Sequence, residues 1–96
     1  MKLILLIEGD AAARIVMRLV LARAGFAVVE LDAREAAPAM IEEHAPNLVI
    51  AAAELALGVP AGGPPLLIMR EPLTASALLA KVRRCLAKPA SPISRR

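Results

Sequence analysis

Apolar residues in this chain fall in short blocks, and the spacing of the blocks predicts strands alternating with helices. Leu3 to Ile7 is an unbroken apolar run, the pattern of a strand buried on both faces of a parallel sheet. Gly9-Asp10 ends it. Residues 11–24 have helical spacing, with Ile15, Val16, Leu19 and Val20 on one face and Arg14 and Arg18 opposite. Gly25 is the expected C-terminal stop. Ala27 to Leu31 predicts a second strand, and its Glu30 marks a sheet edge. A second helix is expected from about Ala33 to Ala45, with Ala37, Met40, Ile41 and His44 inward. Pro38 is tolerated only near a first turn, so this helix starts late or bends, and Pro46 stops it. Leu48 to Ala53 predicts a third strand and Leu66 to Met69 a fourth. Between them, residues 54–65 hold three glycines and three prolines, enough chain for one helical turn but not for a crossover helix. Thr74 is a suitable N-cap for a last helix from Ala75 to about Ala87, whose apolar face is Leu78, Leu79, Val82, Cys85 and Leu86.

Strands alternating with helices imply a parallel α/β sheet joined by right-handed crossovers. Such sheets bind ligands outside the carboxyl ends of their strands. That rim holds Glu8, Gly9 and Asp10, then Ala52 and Ala53, then Arg70 and Glu71. Residues 1–87 read as one domain, and residues 88–96, rich in proline and serine, as a disordered basic tail.

Charge narrows the range of partners. The net charge is +3, but Lys88, Arg95 and Arg96 belong to the tail, which leaves nine basic against nine acidic side chains in residues 1–87. The folded part has no basic excess to attract a phosphate backbone. Phe26 is the sole aromatic, so stacking on bases is not available either. No nucleic-acid partner is expected. The first apolar run is too short for a membrane span or a signal sequence, so neither a membrane nor secretion is expected, and a cytoplasmic location is the default. The single cysteine, Cys85, excludes an intrachain disulfide and a cysteine-based zinc site, and it reads as a packing residue.

The segments Leu3-Ile4-Leu5-Leu6-Ile7-Glu8-Gly9-Asp10, Leu21-Ala22-Arg23-Ala24-Gly25-Phe26 and Glu42-Glu43-His44-Ala45-Pro46-Asn47-Leu48-Val49-Ile50 resemble the first half of a bacterial response-regulator receiver domain. Glu71-Pro72-Leu73-Thr74 and the helix after it resemble the last strand-to-helix junction of that family. The resemblance implies a flavodoxin-like three-layer sandwich, here shortened to a parallel sheet of about four strands in the order 2-1-3-4. Which receiver strand and helix are missing stays open, because Leu66 to Met69 fits the fourth strand or a fusion of the fourth and fifth.

The same resemblance implies a phosphorylation pocket and shows it degenerate. Receivers hold Mg²⁺ on neighbouring acids, phosphorylate an aspartate, and bind the phosphoryl oxygens with a hydroxyl and a lysine. At the matching positions this chain has Glu8 and then Gly9, Ala52 for the nucleophile, Arg70 for the hydroxyl residue and Glu71 for the lysine. Glu8 and Asp10 read as solvated loop carboxylates, with Asp10 also capping a helix, so no metal and no cofactor is expected. No catalytic residue is assigned, because no Ser-His-Asp, Cys-His or carboxylate pair converges on the rim.

The expected function is that of a non-phosphorylatable pseudo-receiver. It acts by protein–protein interaction in a two-component or related signalling pathway, as an adaptor or competitor. The alternative is a small-ligand or nucleotide sensor using the carboxyl-end cleft. Arg14, Met17, Arg18 and Leu21, read as the outer face of the first helix, are the expected contacts with a signalling partner. Loss of a strand and helix bares a sheet edge or an apolar face, so a homodimer, or a stable heterocomplex, is expected through the side of residues 54–72.

Overall fold

The computed structural model describes residues 1–87. The elements run β1 (Leu3–Ile7), α1 (Ala11–Arg23), β2 (Ala27–Leu31), α2 (Ala37–His44), β3 (Leu48–Ala52), a 3-10 helix (Ala53–Gly58), β4 (Leu66–Met69) and α3 (Ala75–Ala87). The expectation of a disordered tail at residues 88–96 lies outside the described residues. The four strands are parallel in the order β2-β1-β3-β4, as the sequence predicted. The fold is thus a four-stranded α/β sandwich.

Strand geometry divides the core into two layers, because successive side chains point to opposite faces. Ile4, Leu6, Leu48 and Ile50 face α1 and α3, where they meet Leu21, Leu78 and Val82. Leu5, Ile7, Val49 and Ala51 face α2 and the 3-10 helix, where they meet Ala37 and, less buried, Met40, Ile41, Leu55 and Ala56. Burial of each large aliphatic side chain in these layers stabilises the fold by about 2 kcal/mol before entropy is counted. β1 and β3 are closed off almost completely, whereas every residue of β2 and β4 keeps partial exposure.

Local chemistry places the helix ends. Asp10 caps α1 by accepting the Ala13 N–H at 3.3 Å. At its other end, Gly25 takes φ +98° and the N–H groups of Gly25 and Phe26 donate back to the carbonyls of Ala22 and Leu21. That is a Schellman ending, which only a residue without a Cβ adopts freely. Pro38 delays α2, which begins at Ala37 rather than near Ala33. The Thr74 hydroxyl accepts the Ala77 N–H at 3.1 Å and opens α3. Asn47 ties the start of β1 to β3: its side-chain oxygen accepts the Leu3 N–H, and its own N–H donates to the Leu3 carbonyl, both at 2.8 Å.

Two details of the sequence reading are corrected. His44 does not face inward; its side chain lies at the surface with Nε2 3.9 Å from a Glu43 carboxylate oxygen. More consequentially, α1 is rotated relative to the expected wheel. Met17, Val20 and Leu21 turn inward, while Ile15, Val16 and Leu19 are exposed. Both faces of α1 are apolar, so periodicity alone could not select one. In the observed orientation Leu21 is fully buried in the core, and Arg14 and Arg18 lie on the flank of the helix beside Glu30 of β2.

Candidate functional site

The carboxyl ends of β1, β3 and β4 open into a cavity of about 500 Å³. Glu8 and Asp10 enter it from the β1–α1 loop, Ala52 from the end of β3, and Arg70 and Glu71 from the loop after β4. Five of the six residues expected at the degenerate pocket are thereby brought together. Gly9 does not line the cavity; a Cβ there would lie 3.5 Å from the Asp32 carbonyl oxygen, on the opposite side of the loop.

The acids on the β1 side are engaged locally. A Glu8 carboxylate oxygen accepts the Asp10 N–H at 3.0 Å, and Asp10 caps α1. Arg14 Nη1 donates to the Glu8 carbonyl at 2.7 Å and holds the loop against the helix. Ala52 is 7% exposed and offers only a methyl group. Arg70 and Glu71 are exposed, and neither forms an ion pair within the described residues.

A hard divalent cation needs several oxygen ligands. Among the described residues no three acidic, histidine or cysteine side chains are grouped to hold one. The residues present therefore do not fit the Mg²⁺ that the resemblance implies. Among the described residues no lysine and no side-chain hydroxyl lines the cavity. Lys81 lines an adjoining groove beside β4, which shares Met69, Arg70, Glu71 and Leu73 with the cavity. The cavity walls are aliphatic, from Ala13, Val16 and Met17 of α1 to Met69, Leu73 and Leu78. At the position of the family's acceptor aspartate this site offers only the Ala52 methyl group, while the carboxylates of Glu8, Asp10, Glu54 and Glu71 stand around it.

The sequence reading missed the apolar wall. The helical pattern gives Ala12, Ala13 and Val16 no link to the rim, yet the start of α1 and the β4–α3 loop face each other across it. Glu54 was also missed; it stands in the first turn after β3 and adds a further carboxylate to the mouth. Position alone could have flagged Glu54, since it follows Ala52 by two residues.

The four residues expected on the outer face of α1 separate in the structure. Leu21 is fully buried and cannot touch a partner, which corrects that assignment. Met17 is half-buried, packs against the core and lines the cavity. Arg14 and Arg18 lie beside Glu30, at 3.5 and 3.0 Å. The exposed apolar residues of the helix are Ile15, Val16 and Leu19, and Val16, 60% exposed, joins that stripe to the cavity.

The same architecture recurs in solved receiver domains. The receiver domain of the hybrid histidine kinase CckA matches with a TM-score of 0.73 at 21% identity, over 88% of this chain and 98% of its own. The N-terminal domain of a response regulator/sensory box/GGDEF three-domain protein from Carboxydothermus hydrogenoformans matches with a TM-score of 0.74 at 19% identity, over 88% of this chain and 94% of its own. The BeF3-activated N-terminal receiver domain of Klebsiella pneumoniae RstA matches with a TM-score of 0.67 at 17% identity, over 90% of this chain and 99% of its own. At these identities the likeness is one of fold, and it agrees with the resemblance carried by the sequence segments. No protein-family model and no curated protein sequence matches the chain. Among the described residues no helix is long and apolar enough to cross a membrane.

Proposed function

We propose that this chain is a pseudo-receiver that binds signalling proteins in a two-component or related pathway without being phosphorylated. The observation that carries the reading is the methyl group of Ala52 at the centre of the carboxyl rim, with no other acceptor carboxylate in its place. The acids that remain, Glu8 and Asp10, are occupied with backbone N–H groups, which suits a scaffold more than a transfer site. In this reading the chain is a binding module and not an enzyme, acts in the cytoplasm, and is controlled by its abundance or by its partner.

The surface offered to the partner is the exposed stripe of α1, Ile15, Val16 and Leu19, continued by the aliphatic wall of the cavity. A helix of another signalling protein, laid along α1, covers both. A second copy binds on the far side of the sheet, through residues 54–72, where Leu57 is 86% exposed and β4 is half-covered. Incubation with acetyl phosphate and Mg²⁺, followed by intact-mass spectrometry, tests the central claim. The mass is expected to stay unchanged; a stable phosphoryl adduct overturns the reading.

The size of the cavity supports a second reading, a sensor of a small ligand or nucleotide. Its volume suits a small organic molecule, and Arg70 gives the mouth one cation. A saturable thermal shift with a member of a nucleotide panel favours this reading, and a flat response across the panel removes it.

A further inference from the structure

The two edges of the sheet are built differently. At β2, Glu30 sits within reach of Arg14 and Arg18, so a charged cluster stands beside the outermost strand. Charged side chains of this kind are a common means of keeping a second strand away. β4 is Leu66-Leu67-Ile68-Met69, without a charge, and no described strand pairs with its outer side.

The direction of its backbone groups follows from one hydrogen bond. The Val49 N–H donates to the Pro65 carbonyl at 2.9 Å, so residue 65 points its backbone toward β3. Backbone groups alternate along a strand, and the register Val49 with Leu66 and Ala51 with Ile68 fits that alternation. Leu67 and Met69 therefore bond to β3. Leu66 and Ile68 direct both their N–H and C=O groups outward. Water can satisfy such a row, and so can another extended backbone, for which an uncharged edge is a template.

We infer that two copies of this chain pair antiparallel through their β4 edges, about a twofold axis at Leu67. This rests on the homodimer reading above and supplies its geometry. In that register Leu66 of one copy and Ile68 of the other exchange N–H···O=C bonds in both directions, and symmetry repeats the exchange. Every outward backbone group of β4 is then satisfied. The facing pairs are Leu66 with Ile68 and Leu67 with Leu67, all apolar, in a contact that is the same patch on both copies. The alternative contact, β4 of one copy against β2 of the next, does not close and leads to filaments; the Glu30 cluster opposes it.

Amide hydrogen exchange by NMR, run beside light scattering over a concentration series, tests the geometry on the native chain. The amides of Leu67 and Met69 are expected to be protected at every concentration. Those of Leu66 and Ile68 are expected to gain tenfold or more protection as the dimer forms. Ile68→Pro, which removes an outward N–H and leaves the β3 ladder intact, is expected to weaken dimerisation at least tenfold while the circular dichroism stays native. A dimer whose Leu66 and Ile68 amides still exchange freely overturns the edge pairing but leaves the homodimer reading standing. A monomer at all concentrations overturns both. Protection of the two amides in a monomer means that the edge is covered within the chain, and it also overturns the inference.

Discussion

Arg18 Nε lies 3.0 Å from a Glu30 carboxylate oxygen, and this contact joins the first helix to the outermost strand. Both side chains are partly exposed, at 39% and 31%, so the attraction itself is worth less than about 1 kcal/mol. Its consequence is positional. Together with the Arg14 contact it is compatible with only one rotation of α1, the one in which Leu21 is buried and Ile15 and Leu19 are exposed. It also places charge on the α1 face of the outermost strand, β2.

If Glu30 guards that edge, its replacement by an apolar residue opens a second pairing site. Glu30→Val is expected to turn a closed dimer into species that grow with concentration. Analytical ultracentrifugation reads the outcome. A variant that stops at the same oligomeric state as the parent removes the guarding role.

The orientation of α1 predicts unequal costs for similar substitutions. Leu21→Ala empties a fully buried site and is expected to lower stability by about 2–5 kcal/mol. Leu19→Ala, on the exposed stripe, is expected to change it by no more than about 0.5 kcal/mol. Urea unfolding of the two variants gives the comparison. Equal losses would mean that the helix is turned the other way.

Gly58 ends the 3-10 helix at a close approach to the β2–α2 loop. A Cβ there would stand 2.5 Å from the Arg34 Cβ and 2.8 Å from its carbonyl oxygen. Because part of the obstacle is backbone, Gly58→Ala is expected to destabilise by about 1–3 kcal/mol. Gly63→Ala meets only the Pro60 carbonyl oxygen, at 3.9 Å, and serves as the control in the same thermal melts.

Restoring an acid at the centre of the rim is expected to cost stability in a pH-dependent way. Ala52→Asp sets a carboxylate in a nearly closed position, in a cavity where Glu8, Asp10, Glu54 and Glu71 outnumber the one described cation, Arg70. Burial and like charge both raise its folded-state pKa above the ordinary value of about 3.9. The folded state then binds its proton more tightly than the unfolded state does. The variant should approach the parent's stability below about pH 4 and fall behind it as the pH rises. A constant difference between pH 3 and pH 8 contradicts this. Acetyl phosphate is still expected to leave its mass unchanged, since the hydroxyl and lysine positions remain Arg70 and Glu71.

Much of this protein was legible in the chain before any coordinates. The apolar runs Leu3–Ile7 and Leu48–Ala52 announced doubly buried central strands, and Glu30 announced an edge. Asp10, Gly25, Pro38 and Thr74 fixed helix ends, because capping and backbone geometry depend on residues close in sequence. The glycines and prolines of residues 54–65 announced a crossover too short for a full helix. Tertiary structure decided what local pattern leaves degenerate. A helix apolar on both sides has no preferred inner face until it packs on the sheet, where Met17, Val20 and Leu21 meet the core and Arg14 and Arg18 come to lie beside Glu30. Likewise the apolar wall of the cavity exists only because the sheet brings the start of α1 against Leu73 and Leu78, and no spacing along the chain encodes that meeting.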